Sequence, residues 1–204
     1  MTRKAMLVLV IAAACGKGDK KEGASSSGGG GAPAAKLDVA GVNALVPAAL
    51  KDKLVFEQRE VKEEGGHREP SYTLAAPKGW EQKMKMMATL RPPEGSSLGF
   101  MTELHVGSNC DGDCVAKDWA ATSDKVNFAQ FKSNGSKIDK DEKGKSDRTL
   151  VASTDEGKKY VVYAWWEDGA KRYHYCSATL EKEVADAAPA FEKACKAVSV
   201  SGED

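Results

Sequence analysis

The residue order predicts an α+β fold, an antiparallel β-sheet with helices packed on its faces. Three observations carry that expectation. Short runs rich in Val, Leu, Tyr, Trp and Thr recur over 54–108 and 148–180, divided by Gly, Pro and Asp clusters. Within 159–180 two such runs flank Asp168-Gly169, a dipeptide suited to a hairpin because both positions tolerate positive φ. The stretch 186–198 then carries apolar residues at helical spacing.

Taken in order, residues 38–51 (DVAGVNALVPAALK) read as one or two short helical turns interrupted by Pro47. The segment 54–64 (LVFEQREVKEE) alternates as a strand does, with Val55, Gln58 and Val61 among charges. Gly65, Gly66, His67 and Pro70 make a turn, SYTLAAP (71–77) is the returning strand, and KGW (78–80) closes it. MMATLRPP (86–93) is a third strand stopped by two prolines. SLGFMTELHVGS (97–108) is a fourth, placing Leu98, Phe100, Thr102, Leu104 and Val106 on one face. Residues 117–132 (KDWAATSDKVNFAQFK) read as helix, with Asp118 as N-cap and Trp119, Thr122, Val126 and Ala129 along one side. Asn134-Gly135 breaks it, 137–147 is a charged hairpin or loop, and RTLVAS (148–153) is a strand.

With Asp168 and Gly169 as a two-residue turn, Trp165 faces Arg172, Tyr163 faces His174 and Val161 faces Cys176. On the other side Trp166 faces Lys171, Ala164 faces Tyr173 and Val162 faces Tyr175. Both faces carry bulky apolar groups, so the hairpin is expected to be central and covered on both sides. The terminal stretch is a helix: Asp186 can cap it and Pro189 fits a first turn. Val184, Ala187 or Ala188, Phe191, Cys195 and Val198 form its inward stripe.

The hairpin reading SYTLAAPKGW, its Pro-x-Gly-Trp turn and a last helix after a long hairpin resemble the PsbP-like fold over about 54–200. That resemblance implies a central antiparallel sheet and an accessory or binding role, often in exported proteins. The four domain cysteines and the CDGDC loop depart from its usual pattern.

The chain opens MTRKAMLVLVIAAAC. Arg3 and Lys4 precede an apolar run of about 10 residues, too short to span a bilayer, which takes roughly 20. It fits an export signal ending in small residues. Cys15 directly after Ala12, Ala13 and Ala14 resembles the lipobox of bacterial lipoproteins, although Ala12 stands where Leu is usual. The resemblance implies cleavage after residue 14 and lipidation of Cys15. Gly16, rather than Asp, then implies outer-membrane sorting. Residues 15–35 (CGKGDKKEGASSSGGGGAPAA) form a tether with no large apolar side chain. A flexible coil of that length spans about 25 Å. Residues 36–204 suffice for one domain.

Charge is balanced, with 30 Lys+Arg against 30 Asp+Glu, and no basic stripe argues for nucleic acid. Membrane contact is therefore expected through the lipid alone.

Cys110, Cys114, Cys176 and Cys195 remain in the domain, an even number that in an exported protein reads as disulfides. Cys176 lies on the inward side of the last strand and Cys195 on the inward stripe of the helix packed against it, which pairs them. A loop of that size contributes about 3 kcal/mol by constraining the unfolded chain. Cys110–Cys114 is the residual pair. In NCDGDC (109–114), Asn109, Asp111 and Asp113 have the alternate spacing of a calcium loop. However, that loop needs Gly at its sixth position and a bidentate Glu at its twelfth, whereas Gly112 is at the fourth and Ala120 at the twelfth. A zinc site lacks partners at a fitting spacing. A redox pair is usually C-x-x-C, and Asp111, Asp113 and Asp118 oppose a thiolate. A structural disulfide feeding the following helix is the expectation, with no metal and no cofactor.

His67, His105 and His174 lie in a turn and on separate strands, and the sequence gathers no catalytic triad around them. Residues 143–148 (KGKSDR) lack the spacing of a phosphate loop, and NGS (134–136) matches a glycosylation sequon. Trp80, Trp165, Trp166, Tyr173 and Tyr175 are the candidate binding surface, weighed against core packing, with Trp80 the one expected to be exposed. The expected function is non-enzymatic: a lipid-anchored binding or accessory module of the envelope, acting on a protein partner or small ligand. The alternative is an exported thiol redox protein or other envelope enzyme using Cys110 and Cys114.

Overall fold

The computed structural model describes residues 37–64, 70–109, 118–123, 135–169 and 172–201. The leader, Cys15, the tether, His67, Cys110, Cys114 and most of 117–132 lie outside the described residues. The architecture is α+β. Seven strands form one antiparallel sheet in the order β3-β4-β5-β9-β8-β7-β6, and β1-β2-β10 form a second. Their spans are β1 Phe56–Lys62, β2 Ser71–Pro77, β3 Glu81–Gln82, β4 Thr89–Arg91 and β5 Glu103–Asn109. They continue as β6 Lys137–Lys143, β7 Asp147–Ser153, β8 Lys159–Glu167, β9 Arg172–Leu180 and β10 Ser199–Ser201. The described helices are α1 Val39–Ala44, α2 Trp119–Thr122 and α3 Ala188–Lys196.

The chain enters as expected. Asp38 caps α1 by accepting the Gly41 N–H at 2.8 Å, and Pro47 precedes a separate short 3-10 turn, Ala48–Leu50. The Asn43 side chain then pairs with both backbone groups of Phe56, which fastens α1 to β1. In β1 Phe56 and Val61 are buried, whereas Val55, just before the strand, is exposed.

Helix α3 lies on β8 and β9 of the large sheet and also touches β2 and α1, so it sits where the two sheets meet. Ala188, Ala190, Phe191, Ala194 and Cys195 are its buried stripe. The Phe191 ring meets Phe56 edge-on at 5.1 Å and Trp80 at 5.8 Å. The Cys176–Cys195 disulfide joins β9 to α3 across a Cα separation of 5.2 Å, as the inward placement of both residues implies. Asp186 does not cap this helix. It lies within a 3-10 turn, Ala185–Ala187, and α3 begins from Ala187 with Pro189 in its first turn.

Several expectations are corrected. The hairpin is closed by Glu167↔Arg172, with residues 168–171 as the connection, so the two-residue turn is not formed. Trp165 pairs with His174, Tyr163 with Cys176 and Ala164 with Tyr175. This register is two residues from the expected one. Side chains alternate with period two, so every residue keeps its face while its opposite neighbour changes. The observed register sets oppositely charged Glu167 and Arg172 across from each other, a favourable cross-strand pair. The third strand is only Thr89–Arg91, because 84–87 form a turn. The fourth begins at Glu103, because Thr102 is tied back to Leu98 O and Gly99 O in a preceding turn. Phe100 therefore leaves the inward face. The charged 137–147 segment is an edge strand, β6, with a register break between Ile138 and Lys140. Charges along such a strand discourage edge-to-edge association. Strand β10 was not foreseen; it follows α3 and pairs with β2.

Candidate functional site

The inner face of the large sheet carries a polar rung at one end. Pairing places Ser108 of β5, His174 of β9, Trp165 of β8 and Asp147 of β7 side by side. His174 Nδ1 lies 2.6 Å from Ser108 Oγ, and its Nε2 lies 3.0 Å from Glu167 Oε2. Ser108 Oγ is in turn 3.0 Å from the Tyr72 hydroxyl of the small sheet. A neutral ring with its proton on Nε2 donates to Glu167 and accepts from Ser108 at Nδ1, leaving Ser108 Oγ to accept from Tyr72. The Trp165 ring stacks on His174 at 5.2 Å, and Tyr163 stacks on Trp165 at 5.4 Å. The Tyr163 hydroxyl donates to Asp147 Oδ2 at 3.3 Å. Burial, reinforced by the Asp147 charge, pushes the Tyr163 pKa well above the usual phenol value.

Serine, histidine and carboxylate thus meet in hydrogen-bond contact, which sequence reasoning missed. Ser108 lies two residues beyond Val106 on the same face, so its direction was legible. Its juxtaposition with His174 depends on a register that sequence alone misplaced. The arrangement is enclosed: the His174 residue is 2% exposed and Tyr72 is fully buried.

The opposite face holds Trp166, Tyr173 and Tyr175. Trp166 and Tyr173 are buried with Trp119 of α2, Leu150, Val162 and Ala164. Tyr175 is half-buried, its hydroxyl 3.3 Å from His105 Nε2. Burial, then the charge of Glu63, raises the Tyr175 pKa to about 12. Burial also lowers the His105 pKa, against an upward pull from Glu103. Gly107 is opposite Tyr175, and a Cβ there would lie 2.8 Å from the hydroxyl, so only glycine leaves room for this ring. Arg148, buried on the same face, holds Asp141 through two 2.8 Å bonds and donates to Ser123 O.

The aromatic set expected as a binding surface is therefore divided between two faces. Trp80, expected to be exposed, is 2% exposed and packs on Phe191, because the turn at Gly79 directs it into the core. Trp165 is half-buried within the stack beside His174.

Among the described residues the exposed large aromatic is Phe100, at 86%. It borders a cavity of about 390 Å³ walled by Lys83, Arg91, Pro92, Pro93 and Glu94, a volume within the range of small-molecule sites. Arg91 is oriented by Glu103 through bonds of 3.0 and 2.7 Å. Gly99 has φ +90° and lies so close to Glu181 that a Cβ would stand 2.5 Å from its Cβ. That approach presents Phe100 outward. Pro92-Pro93, Gly95 and Gly99 are loop signals that could have located this rim. Among the described residues, no group of three or more His, Cys, Asp or Glu is arranged to hold a metal ion.

The chain matches no protein-family model, no curated protein and no solved structure.

Proposed function

We propose that the chain is an exported lipoprotein anchored through Cys15, whose domain is a non-enzymatic binding or accessory module of the bacterial envelope. On this reading residues 15–35 hold the domain off an outer-membrane surface. The fold is of the PsbP-like kind, supported by the SYTLAAPKGW turn and by a terminal helix laid on the sheet. The observation that carries the binding role is the outward Phe100 ring beside its cavity. An exposed aromatic next to a concave wall of prolines and charged groups is what a recognition surface requires. A photo-crosslinking amino acid at position 100 is expected to capture a discrete partner or ligand in intact cells, while the same residue at exposed Glu156 is not. Equal labelling from the two positions removes the reading.

One observation favours a second reading, a serine hydrolase: the contact of Ser108, His174 and Glu167. The binding role is preferred because the Ser108 hydroxyl lies between Tyr72 and a ring almost without solvent access. A fluorophosphonate probe is expected to leave Ser108 unmodified in the folded protein. Stoichiometric labelling of that residue establishes the hydrolase instead.

A further inference from the structure

We propose that the turn at residues 84–87 is a thioether site for Cu(I), held by Met84, Met86 and Met87. The chain has six methionines, two of them in the leader. The other four are all exposed: Met84 at 52%, Met86 at 73%, Met87 at 39% and Met101 at 49%. Methionine is usually a core residue, so this distribution has to be explained by something other than burial.

Three of the four belong to one β-turn. The Met87 N–H donates to Met84 O at 3.3 Å, so Met84, Met86 and Met87 occupy its first, third and fourth positions. The ends of such a turn lie within about 7 Å at Cα. Methionine side chains have three rotatable bonds, so three sulfurs on this frame can meet at one ion.

The frame is built independently of its side chains. Gln82 Nε2 lies 2.7 Å from Lys62 O, 3.3 Å from Met84 O, 3.5 Å from Lys85 O and 3.2 Å from Met87 O. The Glu64 N–H also donates to Lys85 O at 2.8 Å. Three of the turn's carbonyl oxygens, those of Met84, Lys85 and Met87, are thus drawn to these donors, and the methionine side chains are exposed.

The flanking charges are already paired. Lys83 bonds Glu81, and Lys85 lies 3.1 Å from Glu64. Glu81 and Glu64 are engaged by these lysines, and the three methionines add a set of neutral, soft donors at the surface. Such donors select Cu(I) over magnesium or calcium. The proposal leans on the envelope reading only for where copper would be met: outside the reducing cytosol cysteines are oxidised, and methionine remains the available soft ligand. Binding itself is measured without that reading, so its failure leaves the lipid anchor untested and intact.

The test uses the purified full chain with any free thiols alkylated. Cu(I) is supplied anaerobically as its bicinchoninate complex with ascorbate. The wild-type chain is expected to withdraw one equivalent, with only sulfur donors contributed by the protein in X-ray absorption. A Met84→Leu, Met86→Leu, Met87→Leu variant is expected to lose that withdrawal, and Met101→Leu to retain it. Leucine keeps apolarity and approximate volume, so the loss reports on sulfur. Failure of the wild type to compete for copper overturns the site. So does a triple variant that competes as well as the wild type, which would leave the turn as an apolar contact surface.

Discussion

His174 joins the two strands that flank it, β5 and β8, through three functional parts. One nitrogen reaches Ser108 on β5, the other reaches Glu167 across the hairpin, and the ring face meets Trp165 on β8. Replacing it by phenylalanine keeps a ring to stack but withdraws both nitrogens from two half-buried partners. The expected cost is about 1–3 kcal/mol, the penalty for buried polar groups left without a partner. Urea denaturation should show it as a lower midpoint at unchanged slope. An unchanged midpoint would mean that water takes over both bonds and that the chain from Tyr72 to Glu167 contributes little to the fold. Of this cluster, only the direction of each side chain was readable in advance. Its assembly needed a hairpin register that Asp168-Gly169 suggested wrongly, because a local turn preference was overridden by pairing along nine residues of each strand.

At the scale of elements, legibility followed how local the determining physics was. SYTLAAP matches β2 residue for residue, and Pro47 and Pro189 mark where helical segments part or begin, because backbone chemistry acts within a few residues. The pieces around β4 and β5 were misread because Met86, Met87 and Phe100 are apolar yet exposed, and alternation cannot tell a core residue from a surface one. Strand β10 is short and serine-rich, and only its partner β2 makes it a strand. Between elements, Glu192 of α3 offers a pH test. Burial by itself raises its pKa, but hydrogen bonds from Lys140 of β6 and Lys196, both 2.7 Å, outweigh that and hold it below its ordinary 4.5. A lowered carboxyl stabilises the fold above its unfolded value, and this contribution is lost as pH falls through the folded one. Glu192→Gln should therefore be less stable than the wild type near neutrality, and the gap should close below about pH 4.5. Denaturation midpoints across a pH series measure it; a gap that persists unchanged into acid would assign the loss to packing.

For the whole molecule, the decisive question is attachment. None of the described helices is long and apolar enough to cross a membrane. If Cys15 carries the anchor, the wild-type chain should fractionate with membranes and detergent extracts, and Cys15→Ser should move to the aqueous phase with its fold intact by circular dichroism. Retention of the serine variant in the membrane fraction would sink the lipoprotein proposal while leaving the surface at Phe100 to be judged by its own crosslinks.

The small sheet also sets an order in time. Strand β2 is flanked by β1, its immediate predecessor, and by β10, which follows α3. A chain delivered from its N-terminus thus displays β2 with one edge open until the segment after α3 has emerged. Closing that edge waits on long-range pairing, the slow kind of folding event. Molecules cut short before β10 should be the ones that self-associate or are degraded, because their β2 edge is never covered.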